Sequence, residues 1–287
     1  MTASTYAVTG ASGKLGRLAV AALLDRGVPA AGVVALVRTP AKAAELAERG
    51  VTVREADYDR PDTLATALDG VERLLLVSGD AVGQRVRQHS AVVDAAKAAG
   101  VQRIVYTSIL RADSSTLPLA PEHKATEGLL RQSGTAYTLL RNSWYLENYT
   151  DQVGQYLERG EIVGAAGNGR VAAAPRRDYA AAAAAALVED GHDDATYELG
   201  GPPFTFPELA EALSEVTGRT IRYRDVSLPD FTAALLAAGL DEGTAQFVTA
   251  LEAGTAAGEL DTDPADLERL LGRPATPLRD GLRVLLD

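Results

Sequence analysis

Tyr6-Ala7-Val8-Thr9 runs without a break into Gly10-Ala11-Ser12-Gly13-Lys14-Leu15-Gly16. An apolar tetrad giving way to three glycines at three-residue intervals, with a helical stretch from Arg17 to Arg26 behind them, predicts a strand that turns sharply into a helix. Each glycine has its own task in such a turn. Gly10 permits the tight exit from the strand, Gly13 lets the backbone approach a ligand with no side chain between, and Gly16 allows the helix to lie close on the sheet. The helix starting near Gly13 points its free N–H groups and positive dipole end at the same place. Such a cradle suits a diphosphate, so Gly10, Ser12, Gly13, Lys14, Leu15 and Gly16 are the first candidate binding residues.

The pattern that follows alternates. Val33–Val37 reads as a second buried strand, 40–49 as a helix, 51–54 as strand three, 62–68 as a helix and 73–77 as strand four. A helix over 84–99, strand five over 104–107, a helix over 123–132 and strand six over 137–140 complete the series. Near-continuous apolar strands separated by helices require a parallel sheet covered on both faces and wound by right-handed crossovers. The expected fold class is therefore α/β, a Rossmann-type doubly wound parallel sheet. Residues 1–148 form the dinucleotide-binding domain, and segments near 178–200 return to it: an alanine-rich helix over 179–188 and a strand at 197–199. Residues 149–287 are mainly a smaller, mostly helical substrate or lid domain, with a tight turn at Gly167-Asn168-Gly169 and helices over 206–217, 228–238 and 263–271.

Composition narrows the function classes. The chain has 287 residues, no cysteine and a formal net charge of −11. That excludes thiolate nucleophiles and cysteine-ligated clusters, and the negative field disfavours nucleic acid and anionic membranes. His89, His123 and His192 are too scattered to form a metal site. With no apolar run long enough to span a bilayer and no signal-like N-terminal stretch, the cytoplasm is the expected compartment. A small-molecule partner is expected, and a homodimer is one compatible assembly.

Strand ends supply the remaining candidates. Arg38 follows strand two, where a dinucleotide fold meets the adenosine ribose; an acid there selects the free 2′-hydroxyl of NAD, whereas arginine suits a 2′-phosphate. Lys42 is a second phosphate contact, and NADPH is the favoured cofactor. Asp57 and Tyr58 fall where an adenine amino group would be met, and Val77, Ser78 and Gly79 line the ribose and nicotinamide path. Thr107 and Ser108 end strand five. The following helix carries His123, a candidate proton source with an unperturbed pKa of about 6.5, while Lys124 and Glu127 read as ordinary surface charges. Asn142, Ser143, Trp144 and Tyr145 follow strand six at the edge where the two domains should meet, with residues able to position an amide or a flat ring. Arg176 is a candidate cleft-facing charge.

The G-x-x-G-x-x-G loop, the Leu36-Val37-Arg38-Thr39-Pro40 run, Ala56-Asp57-Tyr58, Tyr106-Thr107-Ser108, His123 and Arg141-Asn142 with Trp144-Tyr145 together resemble the NmrA-like branch of atypical short-chain dehydrogenases. The resemblance covers essentially the whole chain and is strongest to the bacterial NAD(P)H:quinone oxidoreductases, with triphenylmethane reductase a near relative. It implies NADPH-dependent hydride transfer to a quinone or similar flat aromatic acceptor in the interdomain cleft, with the glycine loop, Arg38 and the Asn142 region contacting the cofactor. The Tyr-x-x-x-Lys pair of typical short-chain dehydrogenases is missing, and His123 stands where the related isoflavone reductases carry a lysine. The alternative that the branch implies is a dinucleotide-sensing regulator without turnover.

Overall fold

The computed structural model describes residues 4–287. Strands β1 (Tyr6–Thr9), β2 (Val33–Val37), β3 (Thr52–Glu55), β4 (Arg73–Leu76), β5 (Arg103–Ile109), β6 (Ala136–Asn142) and β9 (Ala195–Leu199) form one sheet in the order β3-β2-β1-β4-β5-β6-β9. Every pairing is parallel, with Tyr6 opposite Val33 on one side and Arg73 on the other. Helices α1 (Lys14–Asp25), α2 (Ala44–Glu48), α3 (Pro61–Ala67), α4 (Arg85–Ala98), α5 (Ala120–Gln132) and α8 (Arg176–Val188) supply the crossovers. The inner strands β1, β2, β4, β5 and β6 are buried on both faces, which is why they read as apolar runs, whereas the edge strand β3 has no buried residue.

Two cores result, one on each face. Leu15, Val20 and Leu23 of α1 meet the alanines of α8 over Val8, Ala35 and Val105 on one face. On the other, Leu64, Val92 and Leu130 of α3, α4 and α5 pack on Leu36, Leu74 and Ile104. The alanine run of α8 is what lets that helix lie close against α1, since small side chains permit close backbone approach. The segment 40–49 is not one helix: Pro40–Ala43 is a 3-10 turn ahead of the short α2. Arg17 Nη2 takes the Lys42 carbonyl at 2.9 Å, so that carbonyl is committed outside the helical ladder.

The C-terminal part adds α6 (Glu147–Thr150), α7 (Val153–Arg159), β7 (Glu161–Gly164), β8 (Arg170–Val171), β10 (Phe204–Thr205), α9 (Phe206–Thr217), β11 (Arg222–Asp225), α10 (Leu228–Ala237), α11 (Glu242–Ala256), α12 (Ala265–Leu271) and α13 (Leu278–Leu286). A third core of Phe204, Phe206, Leu209, Ile162 and Leu282 holds most of these together. Helix α9 has a complete capping box, Thr205 accepting from the Glu208 N–H and the Glu208 carboxylate accepting from the Thr205 N–H, a device that fixes its first turn. Helices α11 and α13 and the pairings β7–β11 and β8–β10 lie outside the sequence reading.

Helix α12 does not stay with the third core. Leu267, Leu270 and Ala275 join the first core beside α8, Asp266 accepts from the Glu198 N–H of β9, and buried Asp178 accepts from Arg273 Nη2 at 2.7 Å and from the Thr276 N–H at 2.9 Å.

Candidate active site

The strand order reverses between β1 and β4, and a cleft of about 490 Å³ opens there over the carboxyl ends of the strands, the place where open α/β sheets hold ligands. Gly10, at φ +58°, makes the turn, and its carbonyl accepts from the Gly13 N–H at 2.8 Å. A Cβ on Gly16 would stand 2.7 Å from the Gly10 carbonyl carbon and 2.9 Å from Ala11 Cα, so only glycine seats α1 on the loop. Gly10, Ser12, Gly13, Lys14, Leu15 and Gly16 all line the cleft.

Across the switch point the wall is the segment Val77-Ser78-Gly79, and its three successive N–H groups are each held by a side chain from a different element. Thr9 Oγ1 of β1 accepts from Val77, Thr107 Oγ1 of β5 from Ser78, and His89 Nε2 of α4 from Gly79, at 2.9, 2.8 and 3.2 Å. Thr126 gives its hydroxyl proton to the Glu122 carbonyl, so His89 Nδ1 must be the donor in its 2.9 Å bond with Thr126. That fixes the tautomer and leaves Nε2 free to accept. Burial, then the Arg85 guanidinium, pull the His89 pKa down to about 4. Thr9 and His89 went unassigned in the sequence reading, because nothing local marks a side chain that grips a loop far along the chain.

At the β2 end, Arg38 is exposed, lines the cleft and has no ion-pair partner among the described residues. Its acidic neighbours have their own cations: Asp59 pairs with Arg87 at 2.5 Å and Asp57 with Arg60 at 3.6 Å. Hydrogen bonds from Arg87 and Gln88 hold the Asp59 carboxyl below its ordinary range. Burial pushes the Tyr58 phenol up to about 12, and its hydroxyl reaches the Val77 carbonyl at 3.4 Å. An unpaired guanidinium beside neutralised acids is a receptive place for a phosphate.

The opposite end is built by Tyr145 and Arg176. The Arg176 guanidinium lies 4.6 Å over the Tyr145 ring and donates to Asn148 Oδ1 at 2.9 Å. Glu147 accepts from the Arg176 N–H at 2.9 Å, placing a carboxylate at the positive end of α8. Beneath them Asn142, 4% exposed, keeps a carbonyl oxygen with no hydrogen-bond partner. A buried acceptor left open costs free energy unless a ligand donor reaches it.

Asp57, Tyr58, Val77, Ser78, Gly79, Thr107, Tyr145 and Arg176 thus share the cleft wall with the glycine loop and Arg38. Six expected residues lie elsewhere. Lys42 sits exposed on the 3-10 turn. Ser108 points away from Thr107, as strand alternation requires, and donates to Glu127 at 2.7 Å. Ser143 donates to the Leu260 carbonyl, Trp144 packs on the third core, and Asn142 lies below the wall. His123, 5% exposed, is bonded through Nδ1 to the Tyr106 hydroxyl at 2.8 Å; burial, then Arg85, lower its pKa to about 3. An imidazole so enclosed stays neutral near pH 7 and does not face the cleft.

Glu127 is a correction. It is not a surface charge but is 1% exposed, taking two bonds from Arg141 at 2.9 and 2.7 Å. Arg141 also reaches Glu198 at 2.9 Å, joining α5, β6 and β9 beneath the cleft.

Comparison with known proteins places this geometry. The family described as NAD(P)H-binding matches residues 10–190. This chain belongs to it. Quinone oxidoreductase 2 of Escherichia coli (strain K12) is 47% identical over 282 residues, covering 98% of each chain. The NAD(P)H azoreductase of Xenophilus azovorans is 33% identical over 274 residues, covering 93% of each. Among solved structures, the Escherichia coli NADPH-dependent quinone oxidoreductase complexed with NADPH superposes with a TM-score of 0.94, covering 99% of this chain and all of that one. Triphenylmethane reductase of Citrobacter sp. complexed with NADP(H) gives 0.92 at 39% identity, covering 98% and 100%.

Proposed function

We propose that the protein is an NADPH-dependent quinone oxidoreductase, holding the reduced dinucleotide along the cleft and a flat aromatic acceptor at its Tyr145–Arg176 end. The observation that carries the cofactor reading is the unpaired Arg38 guanidinium standing one strand away from a glycine cradle that a side chain at Gly16 would close. Bound there, NADPH supplies a hydride. The glycine loop and the N-terminus of α1 hold its diphosphate, Arg38 its 2′-phosphate, and the pinned segment Val77-Ser78-Gly79 the path between ribose and nicotinamide. Asn142 Oδ1 offers a buried acceptor of the kind a carboxamide N–H satisfies.

The acceptor class rests on the near-full-length similarity to quinone oxidoreductase 2. It also agrees with the site, because a quinone gains aromaticity on reduction and needs no Tyr-x-x-x-Lys machinery. What the protein contributes is orientation and exclusion of water. We divide the chain into a dinucleotide-binding part built on the seven-stranded sheet and a smaller part on the third core that covers the acceptor, and we place the enzyme in the cytoplasm, where NADPH is regenerated. Purified protein mixed with NADPH and menadione should lose absorbance at the dihydronicotinamide band. Tight NADPH binding with no oxidation by menadione or benzoquinone refutes the enzyme and leaves a dinucleotide sensor.

A further inference from the structure

The sequence offers no obvious proton source once His123 is found behind the sheet. The cleft itself holds one at the required end. The dinucleotide's polarity along the sheet is set by Arg38 at the end of β2 and the glycine loop at the end of β1, so the nicotinamide half runs toward the ends of β4, β5 and β6. The hydroxyl-bearing side chains on that stretch are Ser78, Thr107 and Tyr145. Thr107 Oγ1 accepts from the Ser78 N–H, and its hydroxyl, like that of Ser78, is aliphatic and a poor acid. Tyr145 is a phenol. Among the described residues no carbonyl or carboxylate takes its proton, it lines the cleft, and the Arg176 guanidinium covers its ring at 4.6 Å.

We propose that Tyr145 donates the proton to the acceptor's oxygen, with Arg176, stacked over its ring, as the residue that positions it. This rests on the quinone reading above. The balance is simple. The quinone takes a hydride, its two electrons coming from the dihydronicotinamide, which is oxidised to NADP⁺, and becomes a hydroquinone monoanion. The anionic oxygen then takes the Tyr145 proton: the phenol O–H breaks, the hydroquinone O–H forms, and water entering the cleft reprotonates the tyrosinate. Donor and acceptor are both phenolic oxygens, so the transfer is nearly matched in proton affinity, the condition under which acid catalysis is efficient. Burial raises the Tyr145 pKa, and Asn142 and Arg176 oppose that rise. A guanidinium over the ring also stabilises negative charge arriving on the tyrosine oxygen.

Tyr145→Phe keeps the ring, its edge-on contact with Tyr179 at 5.4 Å and the Arg176 stack, and removes only the hydroxyl. With menadione its kcat should fall about 100-fold, the low end of acid catalysis, while the NADPH dissociation constant stays within about threefold. A second measurement needs no turnover. The protein saturated with NADP⁺ should bind 4-nitrophenolate, a stable mimic of the hydroquinone anion, with a shift of its absorption band, and Tyr145→Phe should bind it about tenfold more weakly without the shift. Arg176→Gln should weaken 4-nitrophenolate and lower kcat more than it raises KM for menadione. Unchanged kcat and unchanged nitrophenolate spectra in Tyr145→Phe overturn the proposal, as does a loss of NADPH affinity equal to the loss in kcat/KM, which would make Tyr145 a cofactor contact. If the wild-type protein leaves menadione untouched, the quinone reading fails instead, and Tyr145 as an aryl-oxyanion donor stands or falls on the nitrophenolate result.

Discussion

Gly16→Ala tests the contact on which the cleft depends. Gly16 lies inside α1, where replacing glycine by alanine ordinarily stabilises a helix by about 1 kcal/mol. Here the added methyl would meet backbone atoms and not a flexible side chain: the Gly10 carbonyl group, with its carbon at 2.7 Å, and Ala11 Cα at 2.9 Å. Restoring ordinary contact means lifting the start of α1 off the loop by about 1 Å, a gap that forfeits a quarter to a half of each dispersion contact it opens. Leu15, Ala19 and Val20 are the buried residues that lose those contacts. Overpacking of this kind costs about 2–3 kcal/mol, outweighing the gain in propensity, so a net loss of about 1–2 kcal/mol is expected, a drop of about 2–8 °C in melting temperature. Gly13→Ala is the contrast. Its Cβ would meet only the Gly10 carbonyl oxygen, at 3.1 Å, so the fold should keep its stability while NADPH affinity falls about tenfold, the new methyl standing where the diphosphate must come. Thermal unfolding without ligand and calorimetric titration with NADPH read the two effects separately. A Gly16→Ala protein as stable as wild type, or a Gly13→Ala protein with unchanged affinity, would refute the division of labour between the two glycines.

Two further outcomes follow from the same geometry. Arg38→Ala should weaken NADPH about 10- to 100-fold and leave NADH nearly untouched, as expected for loss of charge-assisted bonds to one phosphate; equal losses for both cofactors in calorimetry would remove Arg38 from the 2′-phosphate. His89 is depressed to about 4 in the fold against about 6.5 when unfolded. The unfolded chain therefore binds the extra proton, and the His89 contribution to stability falls as pH drops through the window from about 6.5 to 4, by at most ~1.4 kcal/mol per pH unit, with buried His123 adding a slope of its own. His89→Gln keeps an acceptor for the Gly79 N–H and should flatten that slope in urea unfolding between pH 7 and 5; an unaltered slope would show that His89 does not titrate with unfolding.

The sequence carried the sheet because burial on both faces leaves a local trace: β2 has the limits Val33–Val37 that the apolar pattern predicts, and helix α9 likewise keeps its expected limits, Phe206–Thr217. It did not carry α11 or α13. The first holds Gly243, Gly254 and three threonines in fifteen residues, and the second has Gly281 in its middle, kept there because a Cβ would stand 2.5 Å from Leu146 Cδ2. Pairings such as β7 with β11 join residues about sixty positions apart, which no local pattern records. In the site, positions at strand ends were legible because a parallel sheet gathers its carboxyl ends at one edge. Direction was not. Thr107 and Ser108 are neighbours in sequence with opposite faces, and His123 and Glu127 lie on a helix whose inner side only the packing of α5 on β5 determines.

The return of residues 265–276 to the first core sets the order in which this protein is finished. Leu267, Leu270 and Ala275 cover α8, and Asp178, buried without solvent, depends on Arg273 and the Thr276 amide for its partners. As the chain leaves the ribosome, the half begun by β1 waits, with an unmatched carboxylate and an uncovered seam, for residues 265–276 to be made. Domains ordinarily fold in turn from the N-terminus; here the first core cannot cover α8 before a segment about ninety residues further along has joined it.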